Sequence, residues 1–213
     1  MIKNLVFDFG GVIIRSSVQK AIGRFEEIGL KDAYSHFSSF VQQGIFGELE
    51  GGMISGDEFR MKLGEMCGKP ITMEEAEYAW RGYYVSIDLD RLDYIMNLRA
   101  KGYKAYLMSN TNPFMMSWAD STDFTERHQP LSYYFDKLYL SYQIRLMKPS
   151  LEIYDYFLRD ANASALECSF IDDGLANVIS AEHRGFFTIN PENGADWRPQ
   201  LTDLLQKNGA YPL

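Results

Sequence analysis

Residues able to do chemistry collect at or just beyond the ends of apolar runs. Asp8 sits near the end of NLVFDF (residues 4–9). Ser109, Asn110, Thr111 and Asn112 follow YKAYLM (103–108), and Asp172 and Asp173 end CSFID (168–172). Lys148 comes several residues after KLYLS (137–141). Brought to one crevice, three carboxylates, an amine and a hydroxyl make a site for a hard divalent cation together with an anion. Magnesium prefers carboxylate oxygens combined with phosphate and water oxygens. The adjacent pair Asp172 and Asp173 repel each other unless a cation sits between them and the substrate. Gly10 and Gly11 directly follow the first acid. Their missing Cβ atoms are expected to permit a tight turn and a close approach of backbone to metal and phosphate.

Those side chains converge only if the runs that carry them lie parallel in one sheet. The four runs, and a fifth at FFTI (186–189), are continuously apolar, as parallel strands covered on both faces must be. Helical periodicity fills the intervals at 88–102, 148–162 and 174–185, and a last helix follows Pro199. Gly102 is placed to cap the first of these helices. This alternation predicts an α/β fold with a doubly wound parallel sheet.

Residues 10–102 separate the first two strands, far too many for one crossover. VQKAIGRFEEIGL, AYSHFSSFVQQGIFGELEGG, SGDEFRMKLGEMCG and TMEEAEYAWRGYYVS all read as helical, and Ser55 with Glu58 has capping-box spacing. The expected organisation is a core of residues 1–15 and 87–213 with a small helical cap at 16–86. That cap would stand over the C-terminal edge of the sheet, where open α/β sheets bind ligands.

The whole-chain properties narrow the class further. A chain of 213 residues with net charge −8 argues against a dedicated nucleic-acid binder. No segment has the length of a membrane span. The start, MIKNLVFDFGG, reads as a mature strand, not a signal peptide. Cys67 and Cys168 fit no zinc pattern, and two reduced thiols point to the cytoplasm.

The ordered set FDFGGV, LMSNTN, MKP…IY and FIDDGLANV, spanning residues 5–178, resembles the four motifs of the haloacid dehalogenase-like (HAD) superfamily. The resemblance extends to its helical-cap group, which holds bacterial sugar-phosphate phosphatases and the N-terminal phosphatase domain of epoxide hydrolases. It implies a Mg²⁺-dependent phosphatase acting on a small phosphorylated metabolite through an aspartyl-phosphate. Asp8 would be the nucleophile and a metal ligand, and the Gly10 carbonyl a second ligand. Ser109 and the Asn110 amide would hold phosphate, and Lys148 would neutralise charge on Asp8 and the phosphoryl group. Asp173 would bind metal directly, with Asp172 beside it, directly or through water. Gly11 would support the first turn, and Asn177 would organise the last loop.

One departure matters. The residue two after the nucleophile is usually a second aspartate, the general acid and base; here it is Gly10. General acid–base help is worth roughly 10²–10⁴ in rate. A sugar 1-phosphate leaving group would need less help, or a cap residue would substitute, with Glu48, Glu50 and His36 as the candidates. The alternatives are a metal-independent 2-haloacid dehalogenase and a weakly active or inactive ligand-binding scaffold. Asp172–Asp173 favours metal and phosphate over dehalogenation. A kinase-type DFG is excluded by its position at residue 8, and GxGxxG does not occur. AWRGYY (79–84) is expected to be cap core or hinge, with a substrate-facing tyrosine as the alternative. Tyr142, Tyr154 and Tyr156 are expected to pack.

Overall fold

The computed structural model describes residues 1–37 and 44–213. Its main sheet contains β1 (Asn4–Phe7), β4 (Lys104–Ser109), β5 (Lys137–Leu140), β6 (Cys168–Ile171) and β7 (Phe187–Ile189). The order is β5-β4-β1-β6-β7, with every neighbouring pair parallel. This is the doubly wound α/β sheet that the apolar runs predict.

Alternation along β1 explains why its run is apolar throughout. Leu5 and Phe7 enter one buried cluster with Leu107, Leu92, Ile95 and Trp197. Val6 points the other way and joins Met108, Phe170, Ile153 and Phe157. The first face is covered by α5 (Leu89–Ala100) and α10 (Arg198–Asn208), and the second by α8 (Leu151–Asp160) and α9 (Leu175–His183), while the short α6 (Pro113–Ala119) and α7 (Ser141–Ile144) follow β4 and β5.

From β1 the chain moves outward to β4 and β5, then returns to the other side of β1 as β6 and β7. The winding direction therefore reverses at β1. The helical connections on its two sides diverge there, which leaves a crevice beyond the carboxyl ends of β1, β4 and β6. The register aligns those ends, with Phe7 opposite both Leu107 and Ile171.

Between β1 and β4 the chain forms a two-stranded antiparallel ribbon, β2 (Ile14–Ser16) with β3 (Tyr84–Ile87). The ribbon brackets α1 (Val18–Glu27), α2 (Gly44–Glu50), α3 (Gly56–Cys67) and α4 (Met73–Trp80). These helices share a buried cluster built on Phe25, Phe46, Phe59 and Trp80. Phe25 lies 5.2 Å from Phe46 and 5.5 Å from Trp80, ring centre to ring centre. The predicted capping box on α3 is present in both directions, Glu58 N to Ser55 Oγ at 3.2 Å and Ser55 N to Glu58 Oε2 at 2.7 Å. Thr72 and Glu75 make a second box on α4 that the sequence reading missed.

Two helical expectations are corrected. TMEEAEYAWRGYYVS is helical only to Trp80, after which a short 3₁₀ turn leads into β3. The aromatic and β-branched residues YYV favour extended backbone, and pairing with β2 takes them. In AYSHFSSFVQQGIFGELEGG, residues 33–36 form a 3₁₀ turn and residues 44–50 form α2. The expectation of helix at 38–43 lies outside the described residues.

Candidate active site

Asp8 is the first residue past β1, and its amide donates to the Ile171 carbonyl at 2.8 Å, so the β1–β6 ladder carries straight into the site. The turn that follows is pinned from below. Arg91 and the Trp197 indole both donate to the Val12 carbonyl, each at 2.9 Å. The two glycines differ in what they require. Gly11 has φ +75°, and a Cβ there would lie 2.1 Å from Asp173 Oδ2, so only glycine lets the turn and the carboxylate share this space. A Cβ at Gly10 would meet nothing nearer than Ser16 Oγ at 3.8 Å. The turn itself therefore requires glycine at Gly11, while at Gly10 the protein leaves room for a Cβ.

Lys148 arrives from the connection between β5 and α8 and is almost fully buried. Its Nζ lies 2.8 Å from Asp8 Oδ1 and 2.6 Å from Asp172 Oδ2. Burial works against its charge, but Asp172 and Asp8 outweigh burial and hold its pKa above the usual value. The backbone of Lys148 is clamped by the Asn110 side chain, which donates to the Lys148 carbonyl at 2.8 Å and accepts from its amide at 2.9 Å. The sequence assigned only the Asn110 backbone amide. A side chain that matches both polar groups of one distant residue has no local signature.

Asp172 is completely buried and already well supplied with donors. Oδ1 accepts from Gly174 N at 2.7 Å and from Asn177 Nδ2 at 3.0 Å, while Oδ2 takes Lys148. Asn177 thus sits against Asp172, at the loop where the sequence placed it. It is itself held by Tyr154, whose hydroxyl donates to its carbonyl at 2.8 Å.

Asp8, Asp172 and Asp173 each present an oxygen within 4.8 Å of the others. Burial pushes the pKa of Asp8 up to about 7, with Lys148 pulling it back and Asp172 and Asp173 adding to the rise. Burial, then Asp172, raise Asp173 to about 6. Three carboxylates against one ammonium leave the cluster short of positive charge. A hard divalent cation fits that deficit and the all-oxygen donor set.

These groups line a cavity of about 240 Å³ with Ser109, Asn110 and Asn112. Ser109 is buried at the tip of β4. The helical segment contributes Ser16, Val18, Glu50, Trp80 and Tyr83. Of the three cap acid–base candidates, only Glu50 reaches this cavity. Glu48 is ion-paired with Lys62 at 2.8 Å, and His36 stacks on Phe46. Trp80 is in the helical core as expected, stacked on Tyr83 at 5.9 Å. Its Nε1 has no hydrogen-bond partner among the described residues.

A parallel sheet whose switch point gathers an aspartate, a serine, a lysine and an acidic pair from four separate motifs defines a class, and residues 2–185 match the haloacid dehalogenase-like hydrolase family. The chain belongs to that family. It is 51% identical over 205 residues to the D-ribitol-5-phosphate phosphatase of Bacteroides thetaiotaomicron, covering 96% of this chain and 99% of the relative. A predicted HAD-like family hydrolase from Porphyromonas gingivalis superposes with a TM-score of 0.92 at 39% identity, over 97% of this chain and 98% of the other. A HAD family enzyme from B. thetaiotaomicron, solved with magnesium and inorganic phosphate, superposes with a TM-score of 0.86 at 36% identity, over 94% and 99%.

Proposed function

We propose that this chain is a Mg²⁺-dependent phosphatase of small phosphorylated metabolites, with a pentitol 5-phosphate as the first substrate to test. The observation that carries the reading is the Asp8–Lys148–Asp172–Asp173 cluster at the sheet's switch point. The substrate class is supported by the D-ribitol-5-phosphate phosphatase relative and by the cavity. At about 240 Å³, the cavity is of a size for a small metabolite. Residues 1–15 and 87–213 would act as the catalytic core and 16–86 as the cap. The separate buried cluster of the inserted helices supports that division. Among the described residues no helix is long and apolar enough to cross a membrane, and a small-metabolite substrate suits a cytoplasmic enzyme.

In this mechanism a carboxylate oxygen of Asp8 attacks phosphorus, and the P–O bond to the alcohol breaks. Water then attacks the aspartyl-phosphate and returns Asp8 to a carboxylate. Lys148 opposes the burial that raises the pKa of Asp8, favouring its ionised form, and offsets charge on the phosphoryl oxygens. Ser109 Oγ and the Asn110 amide donate to those oxygens, in a crevice where fixed donors act strongly. Asp8 and Asp173, with the Gly10 carbonyl, would hold Mg²⁺, with Asp172 contributing directly or through water while it also pairs with Lys148. When bound, Mg²⁺ screens the repulsion between the carboxylate nucleophile and the phosphate dianion.

The test is phosphate release from a sugar- and polyol-phosphate panel, with and without EDTA, with 2-haloacids as the contrasting set. Release that EDTA removes and Asp8→Asn abolishes is the expected result. No release above the Asp8→Asn control, or EDTA-insensitive halide release, would overturn the assignment.

A further inference from the structure

We infer that Glu50 is the general acid and base of this site, giving its proton to the leaving-group oxygen in place of the side chain that Gly10 lacks. The inference rests on the phosphatase reading above and names the residue that completes it.

The acids lining the cavity are Asp8, Asp172, Asp173 and Glu50. The first three stand at strand ends, around the phosphoryl position. In-line displacement sends the leaving oxygen away from Asp8, toward the wall supplied by the inserted helices. Among the described residues, Glu50 is the acid on that wall. It is the last residue of α2, where the unpaired helix carbonyls disfavour negative charge. It is 8% exposed, and burial, with some repulsion from Asp8, pushes its pKa up to about 8 despite a hydrogen bond from Asn112. A carboxyl of that kind carries a proton at neutral pH and can give it up, which is what a general acid needs.

Glu50 is also fixed in place. Ser141 Oγ donates to its carbonyl at 2.6 Å and accepts from Thr111 N at 2.9 Å, tying α2 to the loop after β4. Two residues on, Gly52 has φ +67°, and a Cβ there would lie 2.2 Å from the Tyr142 carbonyl. Asn112 accepts from Met115 N at 3.1 Å through its Oδ1, which leaves its amide nitrogen for Glu50. With its backbone tied to Ser141 and its carboxyl bonded by Asn112, Glu50 is built for position, whereas an incidental cap acid such as Glu48 pairs with a surface lysine.

The proton balance closes. In the first step the Asp8 O–P bond forms, the P–O bond breaks with its electron pair on the alcohol oxygen, and the Glu50 O–H proton goes to that oxygen. In the second, the Glu50 carboxylate takes a proton from water as water oxygen bonds to phosphorus. The Asp8–P bond then breaks and its pair returns to the Asp8 carboxylate. Alcohol and phosphate leave, and Glu50 is again protonated.

The test is kcat/KM of the Mg²⁺-loaded full chain and of Glu50→Gln on substituted phenyl phosphates, from phenyl to 2,4-dinitrophenyl, with D-ribitol 5-phosphate alongside. Because kcat/KM reports the first chemical step, a good leaving group needs no proton. Glu50→Gln is expected to lose roughly 10²–10⁴ on phenyl phosphate and ribitol 5-phosphate, to be nearly unchanged on dinitrophenyl phosphate, and to show a much steeper dependence on leaving-group pKa. Adding Gly10→Asp, at a position with space for a side chain, is expected to recover part of the loss on phenyl phosphate. A uniform drop across the series would make Glu50 a binding or structural residue, and no drop would remove it from the reaction; either overturns the inference. Wild-type inactivity even on dinitrophenyl phosphate would instead overturn the phosphatase reading beneath it.

Discussion

Replacing Lys148 with Met isolates the electrostatic logic of the site. The native ammonium is 1% exposed and lies 2.8 Å from Asp8 and 2.6 Å from Asp172. Met fills most of the volume and takes away the charge, so Asp8 and Asp172 are left buried side by side with Asp173 within 4.8 Å. Breaking a buried ion pair by removing one partner costs about 3–5 kcal/mol. The sign with pH follows from Asp8, whose pKa is already raised to about 7 and loses its main opposing influence with Lys148. A carboxyl that holds its proton more tightly folded than unfolded favours the fold at low pH, and that advantage fades as pH rises through the folded pKa. The variant's deficit should therefore be small near pH 4 and full near pH 8. The cluster goes from three carboxylates against one ammonium to three against none, so added Mg²⁺ should raise the Tm of the variant more than that of the native chain. Urea denaturation across this pH range, with EDTA or Mg²⁺, measures all three effects. A deficit under about 1 kcal/mol at neutral pH, or one that does not vary with pH, would refute the argument.

Gly11→Ala forces a Cβ against Asp173 at a φ of +75°; titration calorimetry should find Mg²⁺ binding lost, while circular dichroism finds the helices kept. Glu50→Gln should flatten the metal-free stability curve. The native carboxyl, raised from 4.5 to about 8, lets stability fall as pH climbs through that window, by on the order of 3–5 kcal/mol at 1.36 kcal/mol per unit. Equal slopes for the two proteins in urea melts would contradict this. Asn110→Ala removes both halves of the clamp on the Lys148 backbone and should lower kcat by at least about tenfold with little change in Tm, in line with the sensitivity of catalysis to small misplacements.

Much of this arrangement was legible in the sequence because its signals are local. Continuous apolar runs mark strands buried on both faces, and a polar residue at the end of each marks the rim, so Asp8, Ser109, Lys148, Asp172 and Asp173 could be placed before the sheet was seen. The Ser55 capping box was readable for the same reason, since its partners are three residues apart. What escaped depends on distant partners. Tyr84–Ile87 becomes a strand only because Ile14–Ser16 lies beside it. Asn110 is a clamp only because Lys148 presents its backbone there. Glu50 was one of three equal candidates until packing separated them, pairing Glu48 with a surface lysine, stacking His36 on a ring, and turning Glu50 inward beside Asn112.

The strand order also sets a timetable for the nascent chain. Asp8 is made almost first, just past the middle strand, yet its amide is held by Ile171, its counter-charge is Lys148, and the other oxygens of the acidic cluster stand at residues 172 and 173. A ribosome that stalls before β6 releases a product with Asp8 but with neither the pairing that orients it nor the full set of oxygens for a cation. Such fragments would be inert, so only a chain completed past β6 could carry a working site.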